Sequence, residues 1–461
     1  MKNVLYSIIG LLIISCTKAN LNENRELSKP KMQTIEILTI DEALMELDDF
    51  NESLYGNISV KSRDRIANIE VCKVPSTKCE NMQDVLAYVV NYEEDAGFAV
   101  INADKFSVPI IVRAESGNIN YKRLNDKISQ IQGVNMTKSG VSNDDINDNM
   151  SPEDFIYTSI ANYLVATPRI TIDTLSITYG DWIDRFSYGP FVSVKWGQKY
   201  PFNIKIPQDS SWVNNMYNDY RGLPPVGCSN VALGQILATI KQPSRAPGVN
   251  TTYDWGVLRS LSNYSNLTNY LPGQDIESYP FYTNPILMSK VEDLADFLYV
   301  LYDKNDSYSD QNGTWTFTRD VLLTMKELNS SYFANAEIVD YEDDPYAIVD
   351  CLESGKPVYC RGSYKNNTGG HAWVIDGYSK RERQVTIMVQ SGYGNPQTQI
   401  RPQIGYFFHI NWGYNGKYDG YYSKGVFDMT QREDINEIID TNPHTANGTA
   451  SYPNDIKYKS Y

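Results

Sequence analysis

Pro224-Pro225-Val226-Gly227-Cys228-Ser229-Asn230, running on into Val231-Ala232-Leu233-Gly234-Gln235-Ile236-Leu237, is the stretch on which the reading of this 461-residue chain turns. A Pro/Gly-rich turn delivers a cysteine to the start of an apolar run competent to form a helix. The first turn of a helix has unpaired N–H groups and a partial positive charge. A thiol placed there is more acidic, and the thiolate is the form that attacks carbon. A cysteine in an apolar run is by itself more often a packing residue. The second stretch that bears on it is Gly369-Gly370-His371-Ala372-Trp373-Val374-Ile375-Asp376-Gly377, whose histidine lies 143 residues downstream of Cys228 (371 − 228).

The length allows a large core and two domains. With 41% hydrophobic and 21% charged residues the chain reads as globular. A net charge of −15 argues against a nucleic-acid partner, because neutralising phosphates requires clustered Lys and Arg. Histidine is scarce, so any histidine-dependent chemistry must draw on His371, His409 or His444. Lys2 followed by the apolar stretch Val4–Ile14 reads as a targeting segment too short to remain as a membrane span. Ile13-Ile14-Ser15-Cys16 resembles the lipobox of bacterial lipoproteins, with Cys16 as the lipidated residue. Residues 1–15 are then a signal peptide and 16–34 a polar tether. The expected localisation is the bacterial cell envelope or the extracellular space, with the membrane reached only through that lipid. Setting Cys16 aside leaves Cys72, Cys79, Cys228, Cys351 and Cys360, an odd number, so one thiol stays unpaired within the chain. Proximity in sequence suggests Cys72 with Cys79 and Cys351 with Cys360, leaving Cys228.

Along the chain, Asp41–Leu47 opens a short acidic helix, and strand-like runs follow at Val85–Tyr92, Phe98–Asn102 and Val108–Val112. The Glu94-Asp95-Ala96-Gly97 turn joins the first two as a hairpin. Residues 118–150 look loosely structured, and Pro152–Ala166 is an amphipathic helix capped by Ser151. No clear periodicity follows until Gly189-Pro190, near which a second domain begins. Helices are expected at the cysteine, at about 290–302 and at 345–354, the last stopped by Gly355-Lys356-Pro357. Strands then follow at Val358–Arg361, Ala372–Ile375, Val385–Val389 and Tyr406–Trp412. Helices first and sheet second is an α+β order. A polar tail closes the chain from about 436.

A cysteine nucleophile needs a base within reach, a group that orients the base, and donors for the oxyanion. Cys228 and His371 supply the first two parts. In Phe408-His409-Ile410-Asn411-Trp412-Gly413, Asn411 is expected to accept the N–H of His371 and Trp412 to shield that bond. His409 reads as a satisfied strand histidine. No HExxH, paired CxxC, P-loop, GxGxxG or GxSxG is present, so metal, nucleotide and serine-hydrolase chemistries are not indicated, and no cofactor is expected.

Trp196-Gly197-Gln198, Gly227-Cys228 with Ala232 and Gln235-Ile236, Gly355-Lys356-Pro357-Val358, Gly370-His371-Ala372, Val374-Ile375-Asp376-Gly377 and Asn411-Trp412-Gly413 with Asp419-Gly420 occur in this order. Together they resemble the streptopain family of papain-like cysteine peptidases over about residues 185–430. The spacing of Cys228 and His371 suits a papain-like fold. The resemblance implies an α+β, papain-like catalytic domain at 185–435, a helical part plus an antiparallel sheet. An α/β propeptide at 35–180 precedes it, acting as inhibitor of a zymogen. It implies hydrolysis of protein or peptide substrates with Cys228 as nucleophile and His371 as base. The pair is expected to form only when the propeptide leaves, after cleavage within 168–190. Where the family has a glutamine six residues before its cysteine, this chain has Gly222, and Gln198 is the candidate oxyanion donor in its place. Ser229-Asn230-Val231 departs from the more usual Val-Ala-Thr. The Gly222 departure motivates an alternative, a weak or inactive relative acting as a surface protein-binding lipoprotein.

Overall fold

The computed structural model describes residues 37–56, 65–73, 85–136, 152–166, 174–209, 223–246, 248, 252–261, 283–310, 313–340, 347–364, 370–389, 395–426 and 454–460. Cys16, Cys79, Ser151, Gly222 and His444 lie outside these residues. Helix α1 (Ile40–Tyr55) runs a full two turns beyond the expected acidic segment. Thr39 and Glu42 close its start as a capping box, each side chain accepting from the other's backbone N–H. Ala43, Leu47 and Phe50 form its buried stripe. Strands β1 (Ile66–Lys73), β2 (Val85–Tyr92), β3 (Phe98–Asn102) and β4 (Ile110–Ala114) follow as an antiparallel meander. Gly97 ends the β2–β3 turn at φ +102°, where a Cβ would collide with the carbonyl of Ala114.

Residues 121–136, expected to be loose, form helix α2 (Tyr121–Met136). The Asn120 side chain caps it through the Arg123 N–H at 3.0 Å, and Leu124 and Ile128 are fully buried one turn apart. Helix α3 (Pro152–Ala166) has the expected bounds. The aperiodic stretch after it yields two strands, β5 (Thr174–Tyr179) and β6 (Ile183–Tyr188). The second half contains α4 (Cys228–Ile240), α5 (Trp255–Ser260), α6 (Pro285–Lys304), the ribbon β7 (Tyr308–Asp310) and β8 (Gly313–Trp315), and α7 (Thr318–Leu328). Then come β9 (Glu337–Asp340), α8 (Ala347–Glu353), β10 (Val358–Tyr364), β11 (Gly370–Val389), β12 (Gln397–Asn411), β13 (Gly420–Ser423) and β14 (Asn454–Ser460). The two strands expected at 372–375 and 385–389 are one 20-residue strand, β11. Within the expected polar tail, β14 pairs with both β10 and β9.

One antiparallel sheet unites the described strands except the β7–β8 ribbon, in the order β1-β2-β3-β4-β13-β12-β11-β10-β14-β9, with β5 and β6 both on β11. The N-terminal meander joins the later strands where β4 pairs with β13. Successive side chains on a strand face opposite ways, and β11 shows the consequence. Ala372 and Val374 enter the core built by α4, α6 and α7, whereas Trp373 and Ile375 enter the core shared with α2, α3 and α8. A third core sets α1 against β2, β3 and β4 and reaches Phe407 and Tyr421 of β12 and β13. Phe50 lies 4.6 Å from Phe407, ring centre to ring centre.

Charged side chains reinforce that third contact. Arg381 of β11 donates to Asp49 of α1 at 2.9 Å and to Asp184 of β6 at 2.6 Å. Arg383 donates to Glu46 at 2.6 Å and to Gln403 at 2.7 Å, with its guanidinium over the rings of Tyr179 and Trp182. Arg383 and Glu46 are both largely buried, and removing one partner of such a pair typically costs about 3–5 kcal/mol, whereas the two partners of Arg381 are half-exposed and each contributes less.

Candidate active site

Two neighbouring parts of the chain hold the turn before Cys228. Gly227 caps α4 at φ +95°, and a Cβ there would lie 2.9 Å from the Thr314 methyl of β8. Thr314 in turn donates to the carbonyl of Pro225 at 2.5 Å. Asn230 donates to the Val226 carbonyl at 2.7 Å and to Ser307 at 3.0 Å, and accepts from Asn305 at 2.7 Å. Ser229 accepts from the Tyr359 hydroxyl of β10 at 3.0 Å. The departure Ser229-Asn230 therefore consists of anchoring groups that hold the helix start against its neighbours. Cys228, half-buried, is the first residue of α4.

His371 is buried at the start of β11, its ring stacked near Trp373 and Trp412 at 6.4 and 6.0 Å. Its Nε2 lies 2.9 Å from the backbone carbonyl of Trp412. A carbonyl only accepts, so Nε2 carries the proton and Nδ1 is the atom left to meet the thiol. The expectation for Asn411 is corrected here. Its Oδ1 accepts from Gln235 of α4 at 2.9 Å and from the Gly413 N–H at 3.0 Å, and its Nδ2 donates to the Val194 carbonyl at 2.9 Å. The asparagine is fully engaged elsewhere and acts on His371 through the backbone of the next residue. Asp419 completes that hold by accepting from the Trp412 N–H at 2.9 Å. Burial pushes the Asp419 carboxyl up to about 7, against the lowering effect of that hydrogen bond.

Burial raises the Cys228 thiol, yet the net shift is downward, from 9.0 to about 7. The charge and hydrogen bond of His371 outweigh burial, helped by the Ala372 backbone and the charge of Arg361. That influence puts the His371 imidazole within electrostatic range of Cys228 with α1, α2 and α3 in place. Cys72 and Cys360 behave oppositely. Cys72, Cys351 and Cys360 are buried thiols, so the suggested Cys351–Cys360 disulfide is not formed. Burial pushes Cys72 up to about 12 and Cys360 well above the ordinary thiol range. Cys228 therefore ionises more readily than Cys72 or Cys360.

Gln198 lies beside the same turn: its carbonyl accepts from the Val226 N–H at 2.8 Å. His409 belongs elsewhere. Its Nδ1 is 2.6 Å from Asp376 and its Nε2 3.7 Å from Glu115 of the N-terminal half. Burial disfavours its charge, but the two carboxylates push it up to about 10, so it is a structural cation. Sequence reasoning missed Tyr359 and Arg361 on β10. Their placement depends on strand register, which pairs Tyr359 with Val374 and Arg361 with Ala372.

An apolar helix that presents a thiolate-prone cysteine to a histidine on an antiparallel sheet defines the class, a papain-like α+β domain of the cysteine-peptidase type. Residues 196–422 match the model of the Peptidase C10 family, in line with the resemblance to the streptopain family read from the motifs, and that segment is similar to the cysteine peptidases of that family. No curated protein matches the chain. Among solved structures, a cysteine-to-alanine mutant fragment of Prevotella intermedia prointerpain A is 17% identical, covering 85% of this chain and 98% of its own, with a TM-score of 0.43. The active wild-type interpain A cysteine protease of the same organism is 18% identical, covering 60% of this chain and 98% of its own, with a TM-score of 0.37.

Iodoacetamide labelling of Cys228 followed against pH is expected to rise with a midpoint near 7. In His371→Ala, burial is opposed only by the Ala372 backbone and Arg361, and the midpoint moves upward. Equal midpoints in the two proteins would disprove the coupling.

Proposed function

We propose that this protein is an exported cysteine endopeptidase made as a zymogen, with Cys228 as nucleophile and His371 as base. The observation that carries the reading is the lowered thiol of Cys228, held down by His371 in spite of burial. His371 Nδ1 takes the thiol proton, and the thiolate adds to a peptide carbonyl carbon to give a tetrahedral oxyanion. The imidazolium returns its proton to the leaving amine as the C–N bond breaks, leaving a thioester. Water, deprotonated by the same imidazole, then releases the acid and restores the thiol. The Trp412 carbonyl keeps the ring oriented throughout. The Cys228 N–H, in the first turn of α4, and the Gln198 side chain are the proposed oxyanion donors.

The N-terminal half, 35–180 in this reading, acts as the inhibitory propeptide of a catalytic domain at 185–435. With the imidazole already lowering the thiol in the full chain, inhibition in this reading works by covering the site. Phe155 of α3 packs at 5.3 and 6.1 Å from the indoles of Trp373 and Trp412, so the N-terminal half reaches the rings that flank His371 from the far face of the sheet. Activation in this reading requires cleavage within 168–190, where 174–179 and 183–188 are paired to β11 and must be released first. Export and a lipid on Cys16 complete the reading.

N-terminal sequencing after incubation under mild reduction is expected to show a new terminus within 168–190 in wild type and none in Cys228→Ala, which also loses all peptide hydrolysis. Processing and hydrolysis that persist in Cys228→Ala would refute the assignment. Gln198→Ala is expected to lower kcat by about 10²–10³-fold with KM little changed, the usual cost of one oxyanion donor; an unaltered kcat removes Gln198 from the site. Cells fed labelled palmitate are expected to label the wild-type protein and not Cys16→Ser, whereas equal incorporation would sink the lipoprotein reading.

A further inference from the structure

Tyr359 and Arg361, two residues apart on β10, project from the face of the sheet that carries α4, and Tyr359 is bonded there to Ser229. Arg361 stands opposite Ala372, the residue after His371. Its Nη1 donates to the carbonyl of Thr316 at 3.2 Å and to the Thr318 hydroxyl at 3.0 Å, at the start of α7. This α7 start follows directly on β8, whose Thr314 abuts Gly227. The guanidinium is thereby held at the corner where the starts of α4, α7 and β11 converge. Its proximity to the thiol is felt electrostatically, for its charge helps lower Cys228 and acts downward on Tyr359 as well.

Arg361 differs from the arginines that hold ion pairs in the fold, and also from Arg113, which has no carboxylate but is spent on Asn51, the Ala114 carbonyl and the Tyr92 ring. Arg123, Arg381 and Arg383 each have a carboxylate partner. No described carboxylate lies within ion-pair distance of Arg361, and its only described hydrogen bonds leave from one of its three nitrogens. A planar guanidinium anchored by one corner keeps a fork of donors for a carboxylate, which it binds more strongly than any neutral acceptor. The chain's net charge of −15 repels acidic molecules at long range, so an anion would be selected here by contact and not by steering.

We propose that Arg361 is a specificity-determining residue that binds the carboxylate of an acidic substrate side chain adjoining the scissile bond, making the site selective for acidic peptides. This rests on the reading of Cys228 as the nucleophile. Two experiments separate the two claims. In the first, Cys228 is alkylated by iodoacetate and by iodoacetamide, which differ in carrying a carboxylate or an amide. The iodoacetate-to-iodoacetamide rate ratio is expected to fall about tenfold in Arg361→Gln and to be partly kept in Arg361→Lys, in line with the loss of one charge-assisted hydrogen-bonded contact. Both reagents report on the same sample, so a partly unfolded variant does not distort the ratio.

In the second, processed protein is given peptide pairs with Glu or Gln at each position flanking the cleaved bond. At one position kcat/KM is expected to favour Glu by about tenfold in wild type and to lose that preference in Arg361→Gln. Reagent ratios that are equal in wild type and Arg361→Gln overturn the proposal, as does a Glu preference that survives the substitution. A fallen reagent ratio with no cleavage of any peptide would support the carboxylate site while refuting the peptidase reading.

Discussion

The contact on which the rest of the site depends is the 2.9 Å approach of His371 Nε2 to the carbonyl of Trp412. Because an amide oxygen has no proton to give, that contact fixes the tautomer and leaves Nδ1 basic toward the thiol. A main-chain carbonyl cannot rotate away as a side chain can, so its position is set by whatever fixes the backbone on either side. Here that is Asn411, tied to α4 and to Val194, together with Asp419, tied to the Trp412 N–H. The same Asn411 links the helix that starts with the cysteine to the strand end that orients the histidine. One buried amide thus keeps the two halves of the thiol–imidazole pair in register.

The fold makes the site common property of several cores. Trp373 and Trp412 flank the histidine and belong to the core that contains α2 and α3, so the N-terminal half contributes to the environment of the base. Glu115, beside His409, and Glu46 and Asp49, on Arg383 and Arg381, extend the same dependence through charge. An acidic N-terminal half gripping buried cations of the later strands is a specific contact as well as an apolar one. Exchange of those carboxylates for apolar residues would strand arginines in a dry interface.

The sequence was most legible where punctuation and scarcity coincide. Pro224-Pro225 and Gly227 marked the start of α4, and only three histidines competed for the role of base. The hairpin at Glu94–Gly97 and the bounds of α3 followed from turn and cap chemistry. Helix α2 escaped because its buried stripe is sparse and its other faces are polar. Strand β6 escaped because its side chains are largely exposed, whereas β5 does alternate, with Ile177 and Tyr179 half-buried between exposed Ser176 and Thr178, over a run of only six residues. The partner of His371 could not be read because it is a carbonyl, which carries no residue identity. The irregularity between Ile375 and Gly377 in the β11–β12 pairing also shifts which residues face each other. Cys351 and Cys360 were near in sequence and share a core, but nearness does not specify oxidation, and both remain thiols.

The pairing of β4 with β13 through Ala114, Arg113 and Val112 makes an interior ladder out of what would otherwise be two margins. Should residues 37–114 ever depart, Gly420–Ser423 would present a bare row of amides and carbonyls, and the departing piece would carry the matching row. Trimmed molecules would then be sticky toward the fragment they had shed and toward one another. Their solubility would depend on how quickly that open seam is recapped.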